Sequence, residues 1–360
     1  ISIRDFNSID ALLQLFTAIY LSALLISLLV VIKSREKLFF IGKSIIAGSL
    51  INLLLSIIAL IIFYFFNHSW SYTIQENKVF PYLGEVVRLT GTFKPTAKLL
   101  SSYLTLLIPG FLALSIIKKD IYRYFFLIIT ILSLIIFPFT LSRGVVGLLF
   151  ALTFLFNFLK NKGFIENVIF KLFASAFALF FIITSLLSTI HISNVSTKYS
   201  YDGYSDHPST VYYFYDPNKG MEKFSSEIEF ARDHYFWLKK ASLLLIRDNP
   251  LGVGVGNFSK SLKLLEKDEL IPQGLSRHPT PQSEVLFAAS ERGLFGAICL
   301  IFLFISWINP LYKKRKDIII YAFTGSLIAL CFVDSIYLEI TKFRFLWFLV
   351  GVILIYAKDF

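Results

Sequence analysis

Between residues 11 and 357 the sequence returns repeatedly to apolar stretches with few charges, near 11–32, 38–66, 99–117, 124–141, 144–159, 167–190, 284–308, 318–336 and 343–357. A bilayer core about 30 Å thick is crossed by roughly 20 residues of α-helix, and helices satisfy their own backbone groups where no water can. The pattern predicts an all-α polytopic membrane protein with about nine transmembrane helices. Composition agrees, because 56% hydrophobic and 17% aromatic residues are more than a soluble domain of this size hides from water. The expected division is residues 1–190 as N-terminal transmembrane helices, 191–283 as an extracytoplasmic loop domain, and 284–360 as C-terminal transmembrane helices.

Orientation follows from Lys and Arg, which short translocated loops avoid. Lys33, Arg35 and Lys37, then Lys118, Lys119 and Arg123, then Lys160 and Lys162, then Lys313, Lys314, Arg315 and Lys316, and finally Lys358 all fall on one side of the alternation. That side is the cytoplasm, which puts 67–98, 142–143, 191–283 and 337–342 outside. Lys342 and Arg344 oppose the rule and are outnumbered. The net charge of +11 is mostly this topology signal, so no nucleic-acid partner is expected. With Ile1 on the outside, the expectation is that further spans precede this sequence. Cys299 and Cys331 both lie inside apolar runs, which argues against a disulfide framework and against a zinc site.

The long loop changes composition sharply. Residues 193–220 are rich in Tyr, Ser, Asp and Pro and lack a helical period. From Met221 to Ile246, Phe224, Ile228, Ala231, Tyr235, Leu238 and Leu245 recur at helical spacing and predict an amphipathic helix across the bundle's outer surface. It should stop at Asp248-Asn249-Pro250, with a short second helix over Phe258–Leu270. Between them stand Gly252, Gly254 and Gly256. A phosphate-binding loop would need a preceding strand and a Gly-Lys-Ser/Thr or distal acidic residue; neither is present, so the glycines are read as a structural turn.

Four polar islands share the expected outer face: Arg88-Leu-Thr-Gly-Thr-Phe93, Ser142-Arg143-Gly144, the Ala231–His234 segment running through Trp237 to the glycine turn, and Arg277-His278-Pro-Thr-Pro-Gln-Ser-Glu284 leading into Glu291-Arg-Gly-Leu-Phe-Gly296. Arg in or beside a membrane tends to face a cavity and hold a partner, and its planar fork of donors suits phosphate oxygens. Histidine is the side chain poised to take a proton near neutral pH. The plainer readings are an interfacial anchor for Arg88 and Arg143, a pair with Glu229 for Arg232, a surface histidine for His278, and an aromatic belt for Trp237 and Tyr212–Tyr215.

The order Arg-x-Thr-Gly-Thr-Phe, Ser-Arg-Gly opening a span, Asn-Pro-Leu-Gly-Val-Gly-x-Gly-Asn-Phe, and a His shortly before Glu-x-Gly-Leu-x-Gly resembles the O-antigen ligase and O-antigen polymerase superfamily over roughly residues 85 to 310. The resemblance implies a GT-C-like glycosyltransferase of the bacterial inner membrane, with its active site facing the periplasm. It implies a donor glycan on undecaprenyl pyrophosphate, and as acceptor either lipid A core or a second lipid-linked glycan. No cofactor and no metal are implied. By the same resemblance Arg143 and Arg232 bind the pyrophosphate with Arg88, while His278 is the catalytic base. Glu284, six residues after the histidine, is expected to orient the imidazole or to replace it. Two positions depart from the pattern: Pro279 stands where Asn usually follows the histidine, and Lys94-Pro95-Thr96 where many members have Asp-Pro-Asn. The rival class is a transporter or flippase of lipid-linked glycans, which would place ionisable residues at mid-membrane or show repeats and broken helices.

Overall fold

The computed structural model describes residues 9–66, 73–80, 84–93, 97–140, 142, 144–161, 236–272, 275–278 and 280–358, and the structural statements that follow concern these residues. The expected span 167–190, the irregular stretch 193–220 and the first part of the loop helix lie outside them.

Six helical segments are long and apolar enough to cross a membrane, which makes the chain a multi-pass membrane protein. They are α1 (Ile9–Val31), α2 (Arg35–Phe66), α3 (Ala97–Ile117), α4 (Asp120–Ile136) with the 3-10 turn Phe137–Thr140 that extends it, α8 (Glu284–Lys313), and α9 (Ile318–Ile328) continued by a π turn over Ala329–Val333 and a 3-10 turn over Asp334–Ile336. Two more apolar helices are shorter: α5 (Val145–Asn161) has 17 residues and α10 (Arg344–Ala357) has 14. At 1.5 Å per residue they rise only about 25 and 21 Å. The membrane-facing sides are plainly apolar, with Phe65 at 80% and Phe40 at 72% exposed.

The most buried helix is α3, packed between α4, α5 and α9. Leu100, Leu104, Leu106 and Ile108 form its apolar contact surface. Ser101, Ser102 and Thr105, also buried, keep the interface narrow so that neighbouring backbones come close. Helix α1 lies against α10 at the edge of the bundle.

One element departs from the all-α expectation. Between α2 and α3, β1 (Ile74–Phe80) pairs antiparallel with β2 (Gly84–Leu89), in register Glu76↔Arg88 and Val79↔Glu85, with an irregularity between Ile74 and Glu76. The sequence of β1, Ile-Gln-Glu-Asn-Lys-Val-Phe, lacks the apolar–polar alternation that announces a strand.

The described residues between α5 and α8 build a second, small core. Helical residues 236–248 form α6, and Phe258–Lys267 form α7. Leu238, Ala241 and Leu245 on α6 and Phe258, Leu262 and Leu265 on α7 recur at three- and four-residue spacing, which is one face of a helix. They close over Phe287 of α8 together with Ile271 and Leu275. Lys260, Lys263 and Lys267 occupy the exposed side of α7.

Candidate functional site

The first polar island is a turn locked onto α2. Gly91 has φ +55°, and a Cβ there would collide with the Asn52 side chain. Asn52, itself buried, accepts the Thr92 N–H through Oδ1 at 2.9 Å. Thr90 N–H donates to the Thr73 carbonyl at 2.8 Å, closing the mouth of the hairpin. This fixes β2 so that Arg88 Nε donates to the Thr140 carbonyl at 3.2 Å. Thr140 ends the 3-10 turn that runs into the second island.

In that island Gly144 is wedged against α3 and α9. The Ser142 hydroxyl accepts the Gly144 N–H at 3.3 Å. A Cβ on Gly144 would collide with Ser101 Oγ and lie 3.6 Å from Asp334 Oδ2. A Cβ on Gly147, one turn later, would lie 2.8 Å from the same carboxylate oxygen. The two glycines thus cut a notch in the first turn of α5, and Asp334 fills it. Asp334 is 1% exposed. The Gly147 N–H faces its carboxylate, yet among the described residues neither carboxylate oxygen nor Ser101 Oγ has a hydrogen bond of normal geometry. The positive end of α5 offsets a nearby negative charge by about 0.3–1 kcal/mol, at most about 2. Burying an ion costs several kcal/mol, so the helix end alone does not compensate this carboxylate.

The histidine segment is held by α7. Glu266 Oε1 accepts the Ser276 N–H at 2.7 Å, and the Ser259 hydroxyl donates to the Ser276 carbonyl. Those bonds fix the 3-10 turn Leu275–Arg277, and the His278 N–H continues it to the Leu275 carbonyl at 2.9 Å. Lys98, in the first turn of α3, donates to Gln282 Oε1 at 3.0 Å. Burial, followed by the positive charge of Lys98, pulls the His278 imidazole below its ordinary value, which favours the neutral form that can accept a proton.

Glu284 opens α8 and is 4% exposed. Its Oε2 accepts the Thr341 N–H at 3.2 Å and its Oε1 takes the Thr341 hydroxyl. The Trp347 indole N–H secures the Thr341 carbonyl at 2.8 Å. The carboxylate is thereby tied to the segment between α9 and α10.

The glycine turn docks into a break in α8. Gly252, Gly254 and Gly256 have φ of +88°, +95° and +81°, conformations that glycine adopts without steric penalty. Gly293 in α8 has φ +73°, and a Cβ on Gly252 would lie 2.5 Å from the Glu291 carbonyl oxygen. Backbone bonds join the two: Val253 N–H to the Ser290 carbonyl at 2.9 Å, Gly254 N–H to the Glu291 carbonyl at 3.0 Å, and Leu294 N–H to the Pro250 carbonyl at 3.0 Å. Glu291 Oε1 then accepts Gly256 N–H at 3.0 Å and Phe258 N–H at 3.4 Å, capping α7. Its Oε2 accepts from Gln14 of α1 at 3.3 Å, and Arg292 donates to Gln14 Oε1 at 3.0 Å.

Of the expected ligands, Arg88 lies against the hinge and His278 against the start of α3, whereas Arg143 and Arg232 lie outside the described residues. Glu284 bonds to Thr341. Sequence reasoning missed Asn52, Lys98, Asp334 and the capping role of Glu291. An acid such as Asp334 inside an otherwise apolar run is itself a signal; Lys98, one helical turn from Ser101, carries none. Among the described residues no group of three or more His, Cys, Asp or Glu side chains is placed to hold a metal ion. Comparison with protein-family models and with curated proteins finds no match to this chain.

Proposed function

We propose that the chain is a membrane glycan transferase of the O-antigen ligase or polymerase type. It takes a glycan from undecaprenyl pyrophosphate and joins it to an acceptor hydroxyl, on lipid A core or on a second lipid-linked glycan, at the periplasmic face of the bacterial inner membrane. The full bundle in this reading has about nine spans and is GT-C-like. The observation that supports it best is a pair of ties: Arg88 to Thr140 beside the Ser-Arg-Gly hinge, and Lys98 to Gln282 beside His278. Segments distant in sequence thereby gather basic groups and an imidazole at one end of the bundle.

The chemistry follows from those groups. His278 takes the proton of the acceptor hydroxyl as its oxygen attacks the anomeric carbon. The bond from that carbon to the pyrophosphate oxygen breaks, and undecaprenyl pyrophosphate leaves with the electron pair. Arg88, Arg143 and Arg232 meet the growing negative charge, a role that fixed cationic donors fill well in a water-poor site. Attack opposite the leaving group inverts the anomeric centre. Glu284, engaged by Thr341, holds the exit of the histidine segment.

The test is transfer in lipid nanodiscs, with a lipid-linked glycan donor offered either lipid A core or a second donor. His278→Ala is expected to lower the rate by about 10²–10⁴-fold, the usual worth of a positioned base, and Arg143→Ala to cut it strongly as well. Full transfer by both variants removes the assignment. The acceptor that is used separates ligase from polymerase.

A transporter of lipid-linked glycans is the second reading, and Asp334 at the break in α9 favours it. Movement of donor between leaflets, with no new glycosidic bond in the presence of either acceptor, would decide for it.

A further inference from the structure

The carboxylate packed at the hinge between α4 and α5 is unused by glycan transfer, and its surroundings bear on what it binds. Asp334 is 1% exposed, Ser101 is buried beside it, and apart from the Gly147 N–H that faces the carboxylate, both Asp334 oxygens and Ser101 Oγ lack hydrogen bonds of normal geometry among the described residues. Ser101 Oγ and Asp334 Oδ2 approach the same point, the place a Cβ on Gly144 would occupy. The glycine notch therefore admits Asp334 and brings oxygens of two kinds together, contributed by two helices and facing a third.

We propose that Asp334 and Ser101 form a binding site for one alkali-metal cation, sodium being the probe of choice. The charge count favours a monovalent ion: with one carboxylate it makes a neutral site, whereas a divalent ion leaves a net positive charge buried in the bundle. The ligand type points the same way, since carboxylate and hydroxyl oxygens suit hard cations. A proton held between Asp334 and Ser101 is the competing occupant and leaves the second carboxylate oxygen with the Gly147 N–H alone; a metal ion engages both carboxylate oxygens and the hydroxyl. The backbone also fits. The run from α9 changes to π and then 3-10 geometry at Asp334, and the ends of interrupted membrane helices are where carbonyl oxygens turn toward coupling ions. The site stands whether the protein transfers glycans or transports them.

The experiment is thermal unfolding of the whole chain in nanodiscs, in NaCl or KCl against choline chloride at equal ionic strength. An alkali ion held by the folded state alone raises the melting temperature with saturation, by about 2–5 °C at concentrations well above the dissociation constant. The increase is expected to vanish in Asp334→Asn and to need several-fold more salt in Ser101→Ala. Binding of radioactive sodium to the unaltered chain supplies a reading that does not depend on the variants folding. The expected result there is one ion per chain, displaced by unlabelled sodium and not by choline. Equal melting in all three salts with no specific sodium bound overturns the proposal, as does an ion-specific shift that survives in Asp334→Asn. A carboxyl that is protonated at neutral pH in saturating sodium, seen as an infrared carbonyl band lost in Asp334→Asn, overturns it too.

Discussion

His278 shows how far one side chain's environment sets its chemistry. Free imidazole titrates at about 6.5, and burial together with Lys98 shifts this one lower. The folded state therefore favours the neutral ring. Its contribution to stability is complete above the ordinary value and declines as pH falls through the lower, folded value. Activity that needs the neutral ring follows the same direction, so the acid limb of the transfer rate is expected below about pH 6.5. Lys98→Gln should move that limb upward toward the ordinary value, because the repulsion that opposes protonation is gone, while Lys98→Arg should leave it in place. Rates across pH 5 to 8 check this, and an unmoved limb in Lys98→Gln would show that burial alone sets the shift.

Among the elements, the glycine turn and the broken start of α8 form one unit. Neither half is stable in its geometry without the other: Gly252 and Gly293 leave no room for side chains where the backbones meet, and Glu291 accepts the N–H groups that open α7. The turn was legible in the sequence because three glycines at alternate positions before a helical stretch signal positive φ. Its docking partner was not, because Glu291 sits in an Arg-Gly-Leu context that reads as the start of a span. Glu291→Ala leaves at least one buried N–H without an acceptor, worth about 1–3 kcal/mol. Hydrogen exchange at residues 253–258 is expected to speed up by roughly 5- to 150-fold, about the population change those energies correspond to. Glu291→Gln, which keeps an acceptor oxygen, should show much less. Unchanged exchange in Glu291→Ala would mean that the backbone bonds to Ser290 and Glu291 suffice.

For the whole molecule, apolar length was the most readable property: six of the expected spans are helices long enough to cross a bilayer. The hairpin was not readable, because β1 is held by pairing with β2 and by the Thr90–Thr73 bond beside it, not by its own alternation. Asp334 was visible as an acid inside the run 318–336, but nothing in the sequence places Ser101 and the two glycines beside it. Orientation rests on charge, and here Lys342 and Arg344 run against the rule. The structure shows how both are accommodated. Lys342 pairs with Glu339 at 2.7 Å and lies 4.8 Å from the Phe287 ring, while Arg344 lies 5.6 Å from the Tyr20 ring. Lys313, Lys314, Arg315 and Lys316 crowd the opposite end of the α8–α9 pair around a tight turn. Four cations against two, of which Lys342 is paired with Glu339, favour the larger group in the cytoplasm, at about 1 kcal/mol per basic residue near an anionic leaflet. With Cys299 and Cys331 replaced by Ala, single cysteines at Lys316 and Lys342 should report opposite sides. A membrane-impermeant maleimide added to spheroplasts is expected to label Lys342→Cys and to reach Lys316→Cys only after lysis. The reverse pattern would turn the bundle over, and with it the histidine segment, placing His278 on the side where no periplasmic acceptor could meet it.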